Sequence, residues 1–188
     1  MQVDLSQLKP NMGESWDEEW RRILPVYYWH VHAHYVTVEQ YLHGTVLDAG
    51  CGPGFLAART FPNIGYYTGM DISAKALETA RVLFPGATFI QHDCANQPWP
   101  FPDRQFGTVV CSEIIEHLES YELVLTEARR VSKQYLVFSV PISMGGVGHV
   151  RPTWTYQDVV DVFTPACSRI LEIREMREGN FWLVWGAR

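Results

Sequence analysis

The sequence has few of the features that mark membrane, secreted or metal-binding proteins. No apolar run reaches the roughly 20 residues that a membrane-spanning helix needs, and the first residues have neither the basic nor the apolar region of a signal peptide. The cysteines stand at positions 51, 94, 111 and 167 and form no Cys-x-x-Cys pair, which leaves a structural zinc or a redox pair without support. We therefore expect a cytoplasmic protein with free thiols and no membrane partner.

Positive charge is also scarce. The net charge is −6 at pH 7, and the basic residues form no cluster larger than the adjacent pairs at 21–22 and 129–130. A nucleic-acid-binding surface generally needs a basic patch that neutralises phosphates. The charge balance therefore disfavours nucleic acid as a partner. Hydrophobic residues make up 47% of the 188, which is enough for the core of one domain.

The chain divides into two parts of different composition. Residues 1–43 are rich in aromatic side chains, and we expect them to form a helical cap that Pro25 breaks or kinks. From residue 44 to 188, apolar strand candidates alternate with helix candidates. The predicted strands are 45–49, 66–71, 88–92, 108–112, 135–140, 169–174 and 181–185. The predicted helices are 55–60, 74–84, 113–131 with a break near Ser120, and 156–163.

This alternation predicts a single α/β domain with a seven-stranded, mostly parallel sheet and helices on both faces. The last two strands are separated only by residues 175–180. Because a parallel crossover needs a longer connection, these two strands should form an antiparallel hairpin.

A glycine-rich segment, Asp-Ala-Gly-Cys-Gly-Pro-Gly at 48–54, follows the first predicted strand. Glycines let a backbone turn sharply and approach a ligand, and open α/β sheets bind ligands at the carboxyl ends of their strands. An ordinary tight turn would have a similar composition. The segment differs from the Gly-x-Gly-x-x-Gly pattern of dinucleotide-binding proteins, because Phe55 stands where the third glycine would fall.

Acidic residues end or follow the next two predicted strands. Asp71 can accept hydrogen bonds from both hydroxyls of a ribose, although it could equally favour the start of the helix that follows. Asp93 can accept from an adenine amino group or stabilise a turn. Three consecutive strand ends with groups that suit one nucleoside-like ligand predict a cofactor site.

Together these residues resemble the class I S-adenosylmethionine (SAM)-dependent methyltransferases, in particular their small-molecule, type 11-like group. The similar segments are Val-Leu-Asp-Ala-Gly-Cys-Gly-Pro-Gly at 46–54, Gln-Pro-Trp-Pro-Phe-Pro-Asp-Arg-Gln-Phe at 97–106 and Ser-Glu-Ile-Ile-Glu-His-Leu at 112–118. The resemblance covers about residues 45–188 and includes the closing hairpin. Gly107 departs from the family pattern, which usually has Asp there, and this affects a local contact at a strand start.

The resemblance implies a Rossmann-like SAM-methyltransferase fold and SAM as the cofactor. Gly50, Cys51 and Gly52 would surround the methionine part of SAM. Asp48 would orient this loop.

The resemblance also implies where the rest of the cofactor would lie. Asp71 would hold the ribose hydroxyls, and Ile72 would pack on the adenine. Asp93 would accept from the adenine amino group beside Cys94, and Ser112 would lie beneath the sulfonium.

Candidate catalytic residues follow the fourth predicted strand. Glu113, Glu116 and His117 have the spacing i, i+3 and i+4, which places them on one face of the predicted helix. We expect His117, with His149 from a glycine-rich segment, to act as a base on the methyl acceptor. Alternatively, Glu113, Glu116 and His117, with His149, ligate Mg²⁺, Mn²⁺ or Zn²⁺, as a similar motif does in the ubiquinone-pathway O-methyltransferases. The glutamates could also simply favour the helix start, and His149 could be a solvent-exposed loop residue.

Three further histidines, His30, His32 and His34, are close together in the N-terminal part. On a helix only His30 and His34 share a face, and no acidic residue is close. We therefore expect an aromatic amphipathic helix that packs over the cofactor cleft or forms an interface, and no metal site.

The predicted function is transfer of a methyl group from SAM to an oxygen or nitrogen atom of a small molecule. The alternatives are a metal-assisted O-methyltransferase, a non-catalytic SAM-binding module and a nicotinamide-dependent oxidoreductase. Phe55, in place of a third loop glycine, argues against the last of these.

Overall fold

The computed structural model describes residues 16–18, 32–60, 66–143, 148–177 and 180–188. Its strands are β1 (Val46–Ala49), β2 (Tyr67–Asp71), β3 (Thr88–Gln91), β4 (Phe106–Ser112), β5 (Ser132–Pro141), β6 (Arg169–Met176) and β7 (Phe181–Ala187). Its helices are α1 (His32–Glu39), α2 (Phe55–Thr60), α3 (Ala74–Leu83), α4 (Glu122–Val131) and α5 (Tyr156–Phe163), with one 3-10 turn, η1 (Ile115–His117). Residues 16–18 are also helical. The predicted kink at Pro25 and the histidine at 30 lie outside the described residues.

The seven strands form one sheet in the order β3-β2-β1-β4-β5-β7-β6. All neighbouring pairs from β3 to β5 are parallel, and β7 is antiparallel to both β5 and β6. This confirms the mostly parallel sheet and the C-terminal antiparallel hairpin. The chain order reverses at β1, which lies between β2 and β4. In such sheets the crevice at the carboxyl ends of the strands on either side of this point binds the ligand.

The sequence explains why these elements form where they do. Every residue of β1 and β4 is buried, as expected for central parallel strands that are covered on both faces. Ser73 begins α3 as an N-cap that accepts a hydrogen bond from the Ala76 amide, as its sequence position indicates. Thr155 and Asp158 form a reciprocal capping box at the start of α5. Each helix in the described part of the chain is too short or too polar to cross a membrane.

The sheet has a hydrophobic cluster on each face. Along β5, Phe138 belongs to one cluster and Val137 to the other, because successive side chains of a strand point to opposite faces. Helix α1 covers the second face and contributes Val38 to that cluster. Ser139 comes two residues after Val137, so it points toward the same face as α1. The N-terminal helix therefore meets the polar end of β5.

The predicted helix over 113–131 is wrong in its first part, although the expected break near Ser120 is present. Glu113 has a left-handed backbone with φ 54°, which an α-helix cannot contain. One 3-10 turn, Ile115–His117, follows, and α4 begins only at Glu122. Glu113 therefore does not share a helical face with Glu116 and His117.

Candidate functional site

The glycine loop between β1 and α2 is hydrogen-bonded to the end of β2. The amides of Gly50 and Cys51 donate to the Met70 carbonyl at 2.7 and 3.1 Å. The Gly52 amide donates to the Asp71 Oδ2 atom at 2.8 Å. The loop and the end of β2 thus form one hydrogen-bonded unit at the predicted cofactor position.

The loop backbone requires glycine. Gly50, Gly52 and Gly54 have φ values of 79°, 52° and 87°, in the left-handed region that glycine adopts readily. A Cβ at Gly50 would lie 2.5 Å from the Ile114 Cδ1 atom, at the end of β4. The loop therefore packs tightly between two strand ends and presents backbone to any ligand above it.

The Asp71 carboxylate links β2 to two backbone segments. Oδ2 accepts from the Gly52 amide and Oδ1 from the Ser73 amide, both at 2.8 Å. Burial raises the pKa of Asp71 to about 6, while the two amides act in the opposite direction. From the sequence, Asp71 could bind a ribose at the end of β2 or favour the start of the helix that follows. The observed contacts are compatible with both roles.

Asp48 lies beneath the glycine loop and is almost completely buried, with 2% of its surface exposed. Its Oδ2 atom accepts a hydrogen bond from the Tyr67 hydroxyl at 2.6 Å. Burial raises the pKa of Asp48 to about 7, and the negative charge of Asp71 acts in the same direction. Asp48 is therefore close to its protonation midpoint at neutral pH.

The end of β3 carries the predicted adenine site. The Asp93 Oδ1 atom accepts a hydrogen bond from the Ala95 amide at 2.9 Å, which is the turn contact expected if Asp93 stabilises a turn. Cys94 is buried, and its carbonyl accepts from the Trp99 indole at 2.8 Å. Ile72, at the end of β2, is half-buried. The geometry around Asp93 therefore includes a defined turn next to the expected adenine position.

Four polar side chains meet at the ends of β4 and β5. The His34 Nε2 atom of α1 lies 2.7 Å from the Ser112 Oγ atom and 3.2 Å from the Ser139 Oγ atom. The two hydroxyl oxygens are 2.9 Å apart, and Ser139 donates to the Glu113 Oε1 atom at 3.1 Å. Ser112, predicted beneath the sulfonium of SAM, is therefore part of a hydrogen-bond chain that begins on the N-terminal helix.

A second polar group forms beside this chain. The ligand atoms of Glu116, His117 and His149 all lie within 4.8 Å of one another. The rings of His117 and His149 meet edge to face at 4.6 Å between centroids. The structure thus brings together the two predicted catalytic histidines with Glu116, while Glu113 lies outside this group.

Burial disfavours the charged forms of two members of this second group, His117 and Glu116. Burial, together with His149, lowers the pKa of His117 to about 4. Burial raises the pKa of the Glu116 carboxyl well above its usual range, and the charge of Glu113 acts in the same direction. Among the described residues, both oxygens of Glu116 and the His117 Nδ1 atom have no hydrogen-bond partner. A buried carboxyl without a partner is costly, so this position can accept a cation or a donor.

The helical residues 16–18 contact both the His117 ring and the start of α3. The Trp16 ring contacts the His117 ring edge to face at 4.8 Å. The next residue, Asp17, accepts hydrogen bonds from the Ser73 hydroxyl and, at 2.9 Å, from the Lys75 amide. Asp17 therefore adds a carboxylate at the start of α3, and its charge acts to raise the pKa of Asp71.

Sequence reasoning missed the contributions of His34, Ser139 and Asp17. A pattern in the sequence could have indicated His34, because it is followed by the buried residues Val38 and Tyr41 at positions i+4 and i+7, on the same face of a helix. A histidine in such an apolar stripe needs a polar partner. Nothing local in the sequence marks Asp17, which reaches its site only through the fold.

A family model described as a methyltransferase domain matches residues 47–138. An uncharacterized methyltransferase of Mycobacterium tuberculosis is 35% identical over 81 residues, which are 43% of this chain and 41% of that protein. The malonyl-[acyl-carrier protein] O-methyltransferase of Erwinia pyrifoliae is 31% identical over 111 residues, 58% of this chain and 41% of that protein. The chain thus spans about two fifths of the length of these relatives.

A solved structure shows the same fold over nearly all of its length. The SAM-dependent methyltransferase from Mesorhizobium loti superimposes with a TM-score of 0.70, covering 85% of this chain and 98% of that one at 17% identity. Residues 47–138 thus match the methyltransferase domain family, and the fold of the chain is that of the SAM-dependent methyltransferases.

Proposed function

We propose that this protein transfers a methyl group from SAM to an oxygen or nitrogen atom of a small molecule. The observation that carries this proposal is the glycine loop, which is fastened to the Asp71 carboxylate at the switch point of the sheet. A backbone without Cβ atoms and a carboxylate at the next strand end are suited to a nucleoside with an amino-acid tail. The family match covers both features.

Each part of SAM has a candidate partner in this arrangement. Gly50, Cys51 and Gly52 would surround the methionine part. Asp71 would accept from the ribose hydroxyls with the lone pairs that its two amide donors leave available. On the other side of the loop, Ser112 would lie beneath the sulfonium.

The adenine would lie between the ends of β2 and β3. There Ile72 would pack on the ring, and Asp93, beside Cys94, would accept from the amino group. Residues 1–43 would cap the cofactor, which the contacts of Trp16 and Asp17 with the site support.

Methyl transfer makes modest demands on the protein. The sulfonium is already an activated leaving group, so the site mainly aligns the acceptor. A hydroxyl or protonated amine acceptor also has to lose a proton. His117 and His149 remain the predicted bases. Since the pKa of His117 is about 4, its ring is neutral at pH 7 and can accept a proton, although it is a weaker base than an exposed histidine.

A binding and turnover experiment tests this function. SAM should raise the melting temperature of the protein and titrate calorimetrically, whereas NAD should do neither. Conversion of SAM to S-adenosylhomocysteine should then be measured with panels of carboxylic acids, alcohols, phenols and amines. Binding of NAD instead of SAM would indicate an oxidoreductase. Tight SAM binding without turnover on any acceptor would indicate a non-catalytic SAM-binding module.

A second candidate, a metal-assisted O-methyltransferase, is favoured by the buried Glu116 carboxyl. Its oxygens have no hydrogen-bond partner among the described residues, and two imidazoles lie close by, with the His117 Nε2 atom 3.9 Å from the Glu116 Oε1 atom. One carboxylate and two imidazoles suit Zn²⁺ or Mn²⁺. Such a cation would lower the pKa of an acceptor hydroxyl that it contacts. Glu116, His117 and His149 would hold it.

Metal titration separates this candidate from the first. Calorimetric titration with Zn²⁺ or Mn²⁺ should show one site in the wild type and none in Glu116→Gln. The matched control is Glu119→Gln, which changes an exposed glutamate three residues away. If both variants bind the metal like the wild type, this group does not hold a cation. Loss of turnover with EDTA, restored by one of these metals, would favour the metal-assisted reaction.

A further inference from the structure

The hydrogen-bond chain at the ends of β4 and β5 joins the N-terminal helix to Glu113. Its contacts are 2.7 Å from His34 to Ser112, 2.9 Å from Ser112 to Ser139 and 3.1 Å from Ser139 to Glu113. His34 also lies 3.2 Å from Ser139. All these distances are within the hydrogen-bonding range. The chain thus crosses from α1 over two strand ends to a carboxylate.

The number of available protons determines which group donates at each step of the hydrogen-bond chain. An ionised Glu113 carboxylate only accepts, so the single hydroxyl proton of Ser139 is used on it. The hydroxyl proton of Ser112 can then serve only one of its two contacts. Both of these contacts are hydrogen bonds only if His34 carries its proton on Nε2. The protons then run from His34 to Ser112, from Ser112 to Ser139, and from Ser139 to Glu113.

The surroundings of His34 show that its polarity is not needed for packing. The ring lies 4.1 Å from the Phe181 ring and 5.1 Å from the Tyr35 ring, and only 9% of the residue surface is exposed. Burial lowers the pKa of His34 to about 4, so it is uncharged at neutral pH. Phenylalanine would fill such a place without the cost of burying polar atoms. The nitrogen is therefore retained for its hydrogen bonds.

Glu113 occupies a position that needs support. Its backbone is left-handed with φ 54°, a conformation that is unfavourable for residues other than glycine. Its amide donates to the Ser139 carbonyl at 3.1 Å, and its side chain accepts from the Ser139 hydroxyl. Ser139 thus holds both the main chain and the carboxylate of Glu113 at the carboxyl end of β4.

We propose that His34 is a positioning residue of the acceptor site, which directs the Ser112 and Ser139 hydroxyls toward Glu113 and so fixes that carboxylate beside the methyl donor. This inference rests on the proposed methyl transfer and assigns a role within it to the N-terminal helix. A carboxylate fixed at this strand end can orient an acceptor hydroxyl or amine toward the methyl group. His34 acts only through the two serines and contacts neither SAM nor the acceptor.

Kinetics of variants at position 34 test the role of His34. With the acceptor found in the turnover screen, His34→Phe should lower kcat by about 10²-fold, because the aromatic packing remains while the donor is lost. The dissociation constant for SAM should stay unchanged. His34→Gln, which can place an amide N–H near the position of Nε2, should recover most of the turnover. The control Val38→Ala weakens the packing of the same helix without touching the hydrogen-bond chain. It should lower the melting temperature while turnover is retained.

Unchanged turnover in His34→Phe, with an active wild type, would overturn the positioning role. Equal losses in His34→Phe and Val38→Ala would also overturn it, because they would indicate a purely structural helix. A wild type that binds SAM but methylates no acceptor would instead refute the proposed function.

Nuclear magnetic resonance provides a readout that needs no acceptor. The full-length protein, labelled with ¹⁵N-histidine, should show His34 with its proton on Nε2 at pH 8.5, which lies above the value of about 7 to which burial raises the pKa of Glu113. The resonance is assigned by its loss in His34→Gln. Ser112→Ala removes the first acceptor of the chain, so it should make this proton exchange faster with water. A proton on Nδ1 in the wild type would contradict the direction of the chain.

Discussion

Replacement of Asp71 by asparagine tests the assignment of the cofactor site most directly. The carboxylate accepts two amide hydrogen bonds of 2.8 Å, from the glycine loop and from the start of α3. The amide of asparagine keeps one acceptor oxygen and presents an NH₂ group to the other amide donor. Hydrogen bonds to a charged group are worth about 1.5–3 kcal/mol each. The folded protein therefore loses one such bond.

The loss is offset by removal of a buried charge. Burial raises the pKa of Asp71 to about 6, compared with about 3.9 for an exposed aspartate, and this difference corresponds to roughly 3 kcal/mol. Because the two effects oppose each other, Asp71→Asn should change the free energy of unfolding at pH 7 by less than about 2 kcal/mol. The variant is thus expected to be folded in the absence of ligand.

Binding of SAM should respond much more strongly. If the carboxylate accepts from the ribose hydroxyls, one amide cannot replace those acceptors and the dissociation constant should rise at least about tenfold. Isothermal titration calorimetry measures the affinity, and urea unfolding measures the stability. The control is Asp161→Asn, the same change on the exposed face of α5. An unchanged dissociation constant in Asp71→Asn would refute the ribose assignment.

Three further predictions concern other parts of the site. Gly50→Ala should destabilise the protein by about 1–3 kcal/mol and abolish SAM binding, because φ is 79° and the new Cβ would lie 2.5 Å from the Ile114 Cδ1 atom. Calorimetry measures SAM binding, and unfolding followed by circular dichroism measures the stability. Asp48→Asn should be more stable than the wild type at pH 8 and lose this advantage at pH 4. The reason is that the raised pKa of about 7 makes ionisation of Asp48 cost the folded state stability as the pH rises from about 4 to 7. Equal unfolding curves at pH 8 would contradict this. His117→Ala should reduce turnover by about 10²–10⁴-fold if the His117 ring is the base. The affinity for SAM should be unchanged, and EDTA should not affect the wild type. Full activity of the variant would show that His117 has no part in the mechanism.

The backbone geometry at the proposed cofactor site could be predicted from the sequence because its determinants are local. Glycines that need positive φ values, an acid at the end of the next strand and an N-cap serine each act within a few residues of their own position. The alternation of strands and helices predicts the mostly parallel sheet around them. The short connection before β7 was sufficient to predict the closing antiparallel strand.

The acceptor half could not be predicted in the same way because its geometry depends on distant contacts. The i, i+3 and i+4 spacing of the acidic segment predicts one helical face, but the left-handed backbone of Glu113 separates it from Glu116 and His117. Glu113 is instead held by Ser139, 26 residues further along the chain. His34 lies 78 residues before its partner Ser112. Periodicity within one segment contains no information about such pairs.

All of the proposed cofactor residues lie inside the family match, whereas the proposed acceptor residues lie partly outside it. The loop glycines, Asp71 and Asp93 lie within residues 47–138, which the methyltransferase domain shares with its relatives. The residues that reach the acceptor side from outside this range are Trp16, His34, Ser139 and His149. A common cofactor requires a common set of contacts, whereas each acceptor requires its own. The acceptor named for any relative that matches only the shared range is therefore a weak guide here. Variants of His34 and Ser139 that break the hydrogen-bond chain should alter acceptor choice while leaving SAM binding intact. An acceptor profile that is identical in His34→Phe and the wild type would show that specificity is determined elsewhere.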